Sequence, residues 1–216
     1  MAAEPERRRV VAYVDGQNLY YAAREAFGYS YPNYDVMALA CRVSLMQGWN
    51  LESVRFYTGV PDATDDAFWH TFWARKLAVM GRQGVRVFSR PLRYRNVHVR
   101  LPEGTEHTFL SGVEKGIDVR LAIDVIRMGH HQEYDVGLIF SQDQDLSEVA
   151  EEIRVIAREQ RRWIKVACAF PSGPTSRNRR GIEKTDWTRI DRATYDAYLD
   201  RRDYRLASQG DHKGSS

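Results

Sequence analysis

Val10-Val11-Ala12-Tyr13-Val14-Asp15-Gly16-Gln17-Asn18-Leu19 is the stretch that decides the fold. Its first five residues form a near-continuous apolar run of strand length, the pattern of a strand buried on both faces of a parallel sheet. Asp15-Gly16 closes the strand. Leu19 to Phe27 then reads as the helix that leads the chain away, with Gly28 as its stop.

The same grammar repeats outward from this unit. A second helix is predicted over 35–47, with Val36, Leu39, Ala40, Val43 and Leu45 as an imperfect apolar stripe and Gly48 as C-cap. Leu51 to Val60 reads as strand two. Asp62 or Thr64 would cap a third helix carrying Phe68, Phe72, Leu77 and Met80. Val85 to Phe88 is strand three. Pro91 to Glu106 alternates through Tyr94, Val97, Val99 and Leu101 into Pro102-Glu103-Gly104, a hairpin-like excursion. Glu114 to Met128 is the fourth helix, Val136 to Phe140 strand four, Leu146 to Glu159 helix five and Ile164 to Phe170 strand five. A Pro-, Gly-, Ser- and Arg-rich loop over 171–180 precedes a last helix at about Arg192 to Arg201. Alternation of this kind gives an α/β fold with helices on both faces of a central, mostly parallel, five-stranded sheet. The expectation is one domain over 9–205, with tails at 1–8 and 206–216.

Composition limits the classes. The chain has 216 residues, 43% hydrophobic and 28% charged, which is globular and excludes collagen-like or disordered chains. Apolar runs are too short for a membrane span, and no signal-peptide h-region precedes Arg9. The cysteines, Cys41 and Cys168, stand apart and read as buried small hydrophobes in a reducing, cytoplasmic setting. The net charge of +3 conceals an asymmetry: residues 132–152 hold seven acids and no Lys or Arg, so the remainder carries the compensating positive charge. A basic chain with an acidic kernel suits a polyanion binder that also holds cations.

In open α/β sheets, ligands sit beyond the carboxyl ends of the strands, at the point where the strand order reverses. Asp15 stands directly after strand one, Asp143 and Asp145 follow strand four, and Asp118 lies in the first turns of the helix entering strand four. Carboxylate oxygens are the donors Mg²⁺ and Mn²⁺ prefer. Each acid also has a plainer reading. Asp15-Gly16 suits a turn. Asp145-Leu-Ser-Glu148 matches a capping box, which would make Asp145 the N-cap of helix five. Asp124, roughly 120° around the helix from Asp118, is expected to pair on the surface with Arg120 or Arg127.

Three segments in order change these odds: Tyr13-Val-Asp15-Gly16-Gln17-Asn18-Leu19, Lys115-Gly116-Ile117-Asp118-Val119-Arg120-Leu121-Ala122-Ile123-Asp124 and Ser141-Gln142-Asp143-Gln144-Asp145-Leu146. Together they resemble the NYN (LabA-like) domain family, a branch of the PIN-like nucleases, over roughly Arg9 to Tyr198. The resemblance implies a Rossmann-like three-layer fold, an acidic Mg²⁺- or Mn²⁺-dependent site and ribonuclease activity. Its acids map to Asp15, Asp118, Asp143 and Asp145, its orienting asparagine to Asn18 and its hydroxyl before the acidic pair to Ser141. The chain departs from the family pattern where Gln142 and Gln144 replace the usual small residues; Gln142 would narrow the cleft or point away.

On this reading Asp15, Asp118 and Asp143 hold metal directly or through water, Asp145 does so or stands behind them, and Lys115 clamps a phosphate. One or two metals about 3.5–4 Å apart can activate water and neutralise the developing charge of phosphodiester hydrolysis. His130 and His131 sit at a helix end, where an imidazolium merely suits the dipole. Arg93 and Arg95 flank Tyr94, a pattern suited to phosphates and a stacked base, and Arg177, Arg179 and Arg180 add a second basic loop. Trp49, Trp69, Trp73, Trp163 and Trp187 are expected in the core. The expected partner is nucleic acid, single-stranded RNA above all, without a membrane; a homodimer is left open. Two rivals remain: an RNA-binding regulatory module that cleaves nothing, and a small-molecule or phosphoester enzyme on the same fold. A dinucleotide enzyme is disfavoured, since no G-x-G-x-x-G follows strand one.

Overall fold

The computed structural model describes residues 2–100 and 104–205. Strands β1 (Arg9–Asp15), β2 (Asn50–Val60) and β3 (Arg86–Pro91) alternate with helices α1 (Gly16–Phe27), α2 (Val36–Met46) and α3 (Ala67–Arg82). A hairpin follows, β4 (Arg93–Arg100) and β5 (Glu106–Val113). Then come α4 (Ile117–His130), β6 (Val136–Phe140), a 3₁₀ turn at Gln144–Leu146, α5 (Ser147–Glu159), β7 (Lys165–Pro171), β8 (Asp186–Ile190) and α6 (Arg192–Asp196). Six strands form one sheet in the order β3-β2-β1-β6-β7-β8, every neighbouring pair parallel. The hairpin is a separate antiparallel pair.

The apolar run of β1 serves two cores by its period of two. Val10, Ala12 and Val14 face a core shared with α1, α2, α3 and Tyr195 of α6. Val11 and Tyr13 face the other, built with α4 and α5. β6 divides likewise: Val136, Leu138 and Phe140 join the first core, Ile139 the second. This is why neither strand alternates with polar residues, and it gives the expected three-layer α/β/α arrangement.

The sheet has one strand more than expected. β8 falls between the expected 171–180 loop and last helix, and shows no strand pattern because Asp186, Trp187 and Arg189 are exposed on this edge strand, leaving only Thr188 and Ile190 buried. The last helix is also shorter than expected, five residues at Arg192–Asp196. The hairpin extends further than the sequence suggested, because β5 continues to Val113. Its expected turn at 101–103 and the expected tail from 206 lie outside the described residues. Cys168 is buried, but Cys41 is exposed on α2, contrary to expectation. Trp49 and Trp73 are buried, Trp69 and Trp163 are half-buried, and Trp187 is 38% exposed, so only part of the tryptophan set is core. No helix among the described residues is long and apolar enough to cross a membrane.

Candidate active site

The strand order reverses between β1 and β6. The chain leaves β1 toward β2 and β3, then returns to β1's other side, which opens the crevice where α/β proteins place ligands. In the register of these strands Val14 faces Phe140, so Asp15 and Ser141 emerge side by side.

Asp15 is the N-cap of α1: its Oδ1 accepts from the Asn18 N–H at 3.0 Å. The Asp-Gly pair is therefore a strand-to-helix cap, not a free turn. Gly16 is required because a Cβ there would stand 2.4 Å from Phe56 Cζ, so α1 could not start so close to β2. Ser141 Oγ donates to Asp15 Oδ2 at 3.3 Å and accepts from the Asp143 N–H at 3.1 Å. Asn18 Oδ1 accepts from the Gln142 N–H at 2.9 Å. Asn18 and Ser141 are thus struts that tie α1 to the segment after β6. Asp143, half-buried, caps the 3₁₀ turn by accepting from the Asp145 N–H at 3.0 Å. The expected capping box at Asp145 does not form. α5 begins after Leu146 with no side-chain cap, and Asp145 is exposed.

Asp118 is exposed in the first turn of α4. That helix starts at Gly116, which adopts φ 72° and passes close to the Arg90 guanidinium; the left-handed backbone favours glycine here. Lys115 is exposed and makes no ion pair among the described residues. Between them and β2 lies a residue the sequence reading did not single out, Glu114. Its Oε1 accepts from the Gly59 N–H. Burial, reinforced by the charges of Asp15 and Asp118, pushes its carboxyl up to about 7. Burial likewise lifts Asp15 to about 6, the Asp143 charge adding to it while the Asn18 and Ser141 hydrogen bonds oppose it. The available signal for Glu114 was its position: an acid immediately before Lys115-Gly116, at the foot of β5.

None of Asp15, Glu114, Asp118, Asp143 and Asp145 makes an ion pair among the described residues. Within the acidic 132–152 stretch, Asp135 pairs with Arg9 and Arg162, and Glu151 with Lys184, away from the crevice. Asp124 is not a surface residue: it is 1% exposed, bonded to Arg55 at 3.1 Å and Tyr57 at 2.9 Å and paired with Arg120 at 2.9 Å. It fastens α4 to β2 and takes no part in the crevice. No group of three or more His, Cys, Asp or Glu among the described residues is gathered tightly enough to form a ready metal cage. The donor set still suits a hard divalent cation, being all carboxylate and free of ion pairs among the described residues.

Two basic segments border the crevice. The hairpin springs from its rim, since its roots Leu92 and Glu114 both pack against Gly59 at the end of β2. Arg93 and Arg95 project from β4, exposed, their side chains without a hydrogen bond or ion pair among the described residues. The structure does not bring them into contact with the acids. The second segment explains the two glutamines. Gln142, buried, donates through Nε2 to the carbonyls of Arg180 (2.8 Å) and Asn178 (3.3 Å). Gln144 Nε2 donates to Gly181 O (2.9 Å), and its Oε1 accepts from the Glu183 N–H (3.1 Å). Both side chains turn away from the crevice and hold the 171–185 loop, with exposed Arg177, Arg179 and Arg180, against the acidic turn.

The NYN domain family model matches residues 9–176, which includes every crevice acid. The chain belongs to the NYN domain family. An NYN domain has the PIN-like nuclease fold, and the family implies a nuclease-type hydrolase acting on nucleic acid. No curated protein matches the sequence. Among solved structures, the chain is similar to a protein of unknown function from Vibrio parahaemolyticus, at 21% identity over 91% of this chain and 99% of that one, with TM-score 0.53; this shows a shared fold. Ribokinase from Giardia lamblia (12% identity, 79% and 56% covered, TM-score 0.33) is too distant to bear on this NYN domain.

Proposed function

We propose that this NYN domain is a Mg²⁺- or Mn²⁺-dependent nuclease that hydrolyses phosphodiester bonds, with single-stranded RNA as its substrate. The observation that carries the reading is the set of five carboxylates without ion pairs around the β1–β6 switch point, in a chain whose fully buried acids, Asp124 and Asp135, are both matched with arginine. Asp15, Glu114, Asp118 and Asp143 would hold the cation, with Asp145 beside them. A divalent cation there supplies neutralising charge for the reacting phosphate and a water more acidic than bulk water.

The chain's own residues do the rest. Ser141 and Asn18 fix the Asp15 carboxylate and the backbone of the segment carrying Asp143, so the carboxylates stand in place before substrate arrives. Lys115 is free to take a phosphate oxygen at the mouth. Arg177 and Arg180 on one rim, and Arg93 and Arg95 on the other, bind the flanking backbone, giving strong salt dependence. Tyr94 offers an aromatic ring between its two arginines.

The test is cleavage of labelled single-stranded RNA and DNA in Mg²⁺, Mn²⁺ or EDTA by the wild type, Asp15→Asn and Asp143→Asn. RNA cleavage that needs the cation and both acids is expected. Cleavage persisting in EDTA or in both variants would overturn the metal-nuclease reading, and cation-insensitive RNA binding without product would favour a binding module.

A further inference from the structure

We propose that a cavity of about 260 Å³ beside the acidic crevice binds one unpaired base of a nucleic-acid strand. The inference rests on the nuclease reading for placing the neighbouring phosphate. The cavity shares its rim with that site: Glu114 lines it, as does Gly16, the residue after Asp15. A strand whose phosphate lies over the acids therefore has a nucleoside within reach of the cavity.

The walls suit a flat, neutral ring. Tyr20 and Tyr21 of α1 form one side, and Trp69 and Trp73 of α3 the other. Tyr21 is 45% exposed although α1 has a well-buried face elsewhere, and Trp69 is only half-buried, so neither of these lining rings is packed into the core. Arg24 lines the cavity beside them. Its guanidinium lies 4.8 Å from the Tyr21 ring centroid and 5.8 Å from that of Tyr20, and it makes no ion pair among the described residues. An aromatic–arginine arrangement of this kind stacks bases regardless of their identity. Gln17 adds a polar side chain to the lining, where a base carries its donors and acceptors.

Size and charge exclude other occupants. The volume falls below the roughly 300–1,000 Å³ of sites for drug-sized ligands, which matches one ring system and not a dinucleotide. Arg24 disfavours a cationic ligand, and the aromatic walls offer no partner to an anionic one. A phosphate-linked neutral heteroaromatic ring satisfies both, its negative charge lying outside.

The test uses the full chain carrying Asp143→Asn to block cleavage. Binding of a 5′-labelled uridine hexanucleotide is measured by fluorescence anisotropy, beside the same oligonucleotide with one abasic residue placed at each position in turn. One position should be sensitive, its abasic form binding about 5- to 150-fold more weakly, the range of base–aromatic stacking. Adding Tyr21→Ala, an exposed change, should weaken the intact oligonucleotide and abolish that sensitivity; Arg24→Gln should reduce it. No binding, no favoured position, or undiminished sensitivity in both variants would overturn the pocket. The two readings separate cleanly: a position-specific abasic effect with no cleavage by the wild type removes the nuclease and leaves the pocket, whereas cation-dependent cleavage without that effect does the reverse.

Discussion

Replacing Asp15 by Asn should abolish cleavage and at the same time raise the stability of the cation-free protein. Burial lifts this carboxyl from 3.8 to about 6, so the ionised form is carried at a cost in the fold. Two pKa units correspond to about 3 kcal/mol. Asn keeps the shape and caps a helix as well as Asp does, but its neutral oxygen accepts more weakly from the Asn18 N–H and Ser141 Oγ. Those two bonds already oppose the rise and lie inside the net shift, so the gain at neutral pH is up to about 3 kcal/mol, or about 6–12 °C in melting temperature at this chain length. The pH dependence fixes the cause. A raised folded-state pKa means that the native protein binds the extra proton between about 4 and 6, so the contribution of Asp15 to stability is greatest below 4 and lost as pH rises through 6. The advantage of Asp15→Asn should be full at pH 7.5, smaller at pH 5 and absent at pH 4. Thermal melts in EDTA at these three values read it directly. Mn²⁺ should then raise the wild-type midpoint and leave the variant's nearly unmoved. A lower midpoint for Asp15→Asn at pH 7.5, or a gain unchanged between pH 7.5 and 4, would refute the argument that the buried charge is uncompensated.

Other perturbations follow from the same geometry. Asp124→Ala leaves Arg55 and Tyr57 without their shared acceptor inside the α4–β2 contact, and should cost about 3–5 kcal/mol, seen as a melting point at least 6 °C lower. Lys76, 0% exposed and bonded to Tyr34 O at 2.8 Å, lies 3.6 Å from Asp200 Oδ2, yet burial outweighs that pairing and lowers it to about 8. Since the unfolded chain keeps the lysine proton up to about 10.4, stability should gain a positive slope between pH 8 and 10, measurable by urea titration and absent in Lys76→Met. The double change Gln142→Ala with Gln144→Ala removes four side-chain bonds to the 171–185 loop. Backbone amide exchange in that loop should accelerate and RNA affinity fall, while the melting point shifts less than it does for Asp124→Ala.

Most of the sheet was readable from local pattern, because strands such as β1 and β6 bury both faces and show it as unbroken apolar runs. β8 escaped because an edge strand buries one residue in two, and Asp186-Trp187-Thr188-Arg189-Ile190 is then indistinguishable from loop. Among the crevice residues, Asp15, Ser141 and Asp143 stand where the strand ends placed them. Glu114 was hidden because its setting depends on Gly59, 55 residues earlier in the chain. Asp124 was misread for a related reason: its helical partners Arg120 and Arg127 are local, but Arg55 and Tyr57, which make its surroundings buried, come from another strand. For Gln142 both narrowing the cleft and pointing away stayed open, since no spacing rule reveals that the Gln142 and Gln144 amides reach carbonyls 36 to 38 residues onward and the Glu183 N–H 39 onward.

The central claim is that carboxylates left unpaired at the β1–β6 switch point exist to hold a cation for strand cleavage. Single-turnover cleavage of a 5′-labelled single-stranded RNA across a Mn²⁺ titration, by wild type and Asp143→Asn purified identically, tests it most directly. The account predicts a saturable rise in the wild-type rate from zero in EDTA, and a loss of at least about 100-fold (roughly 2.7 kcal/mol of barrier) in the variant. Equal rates in the two proteins, or a wild-type rate indifferent to Mn²⁺, would contradict it.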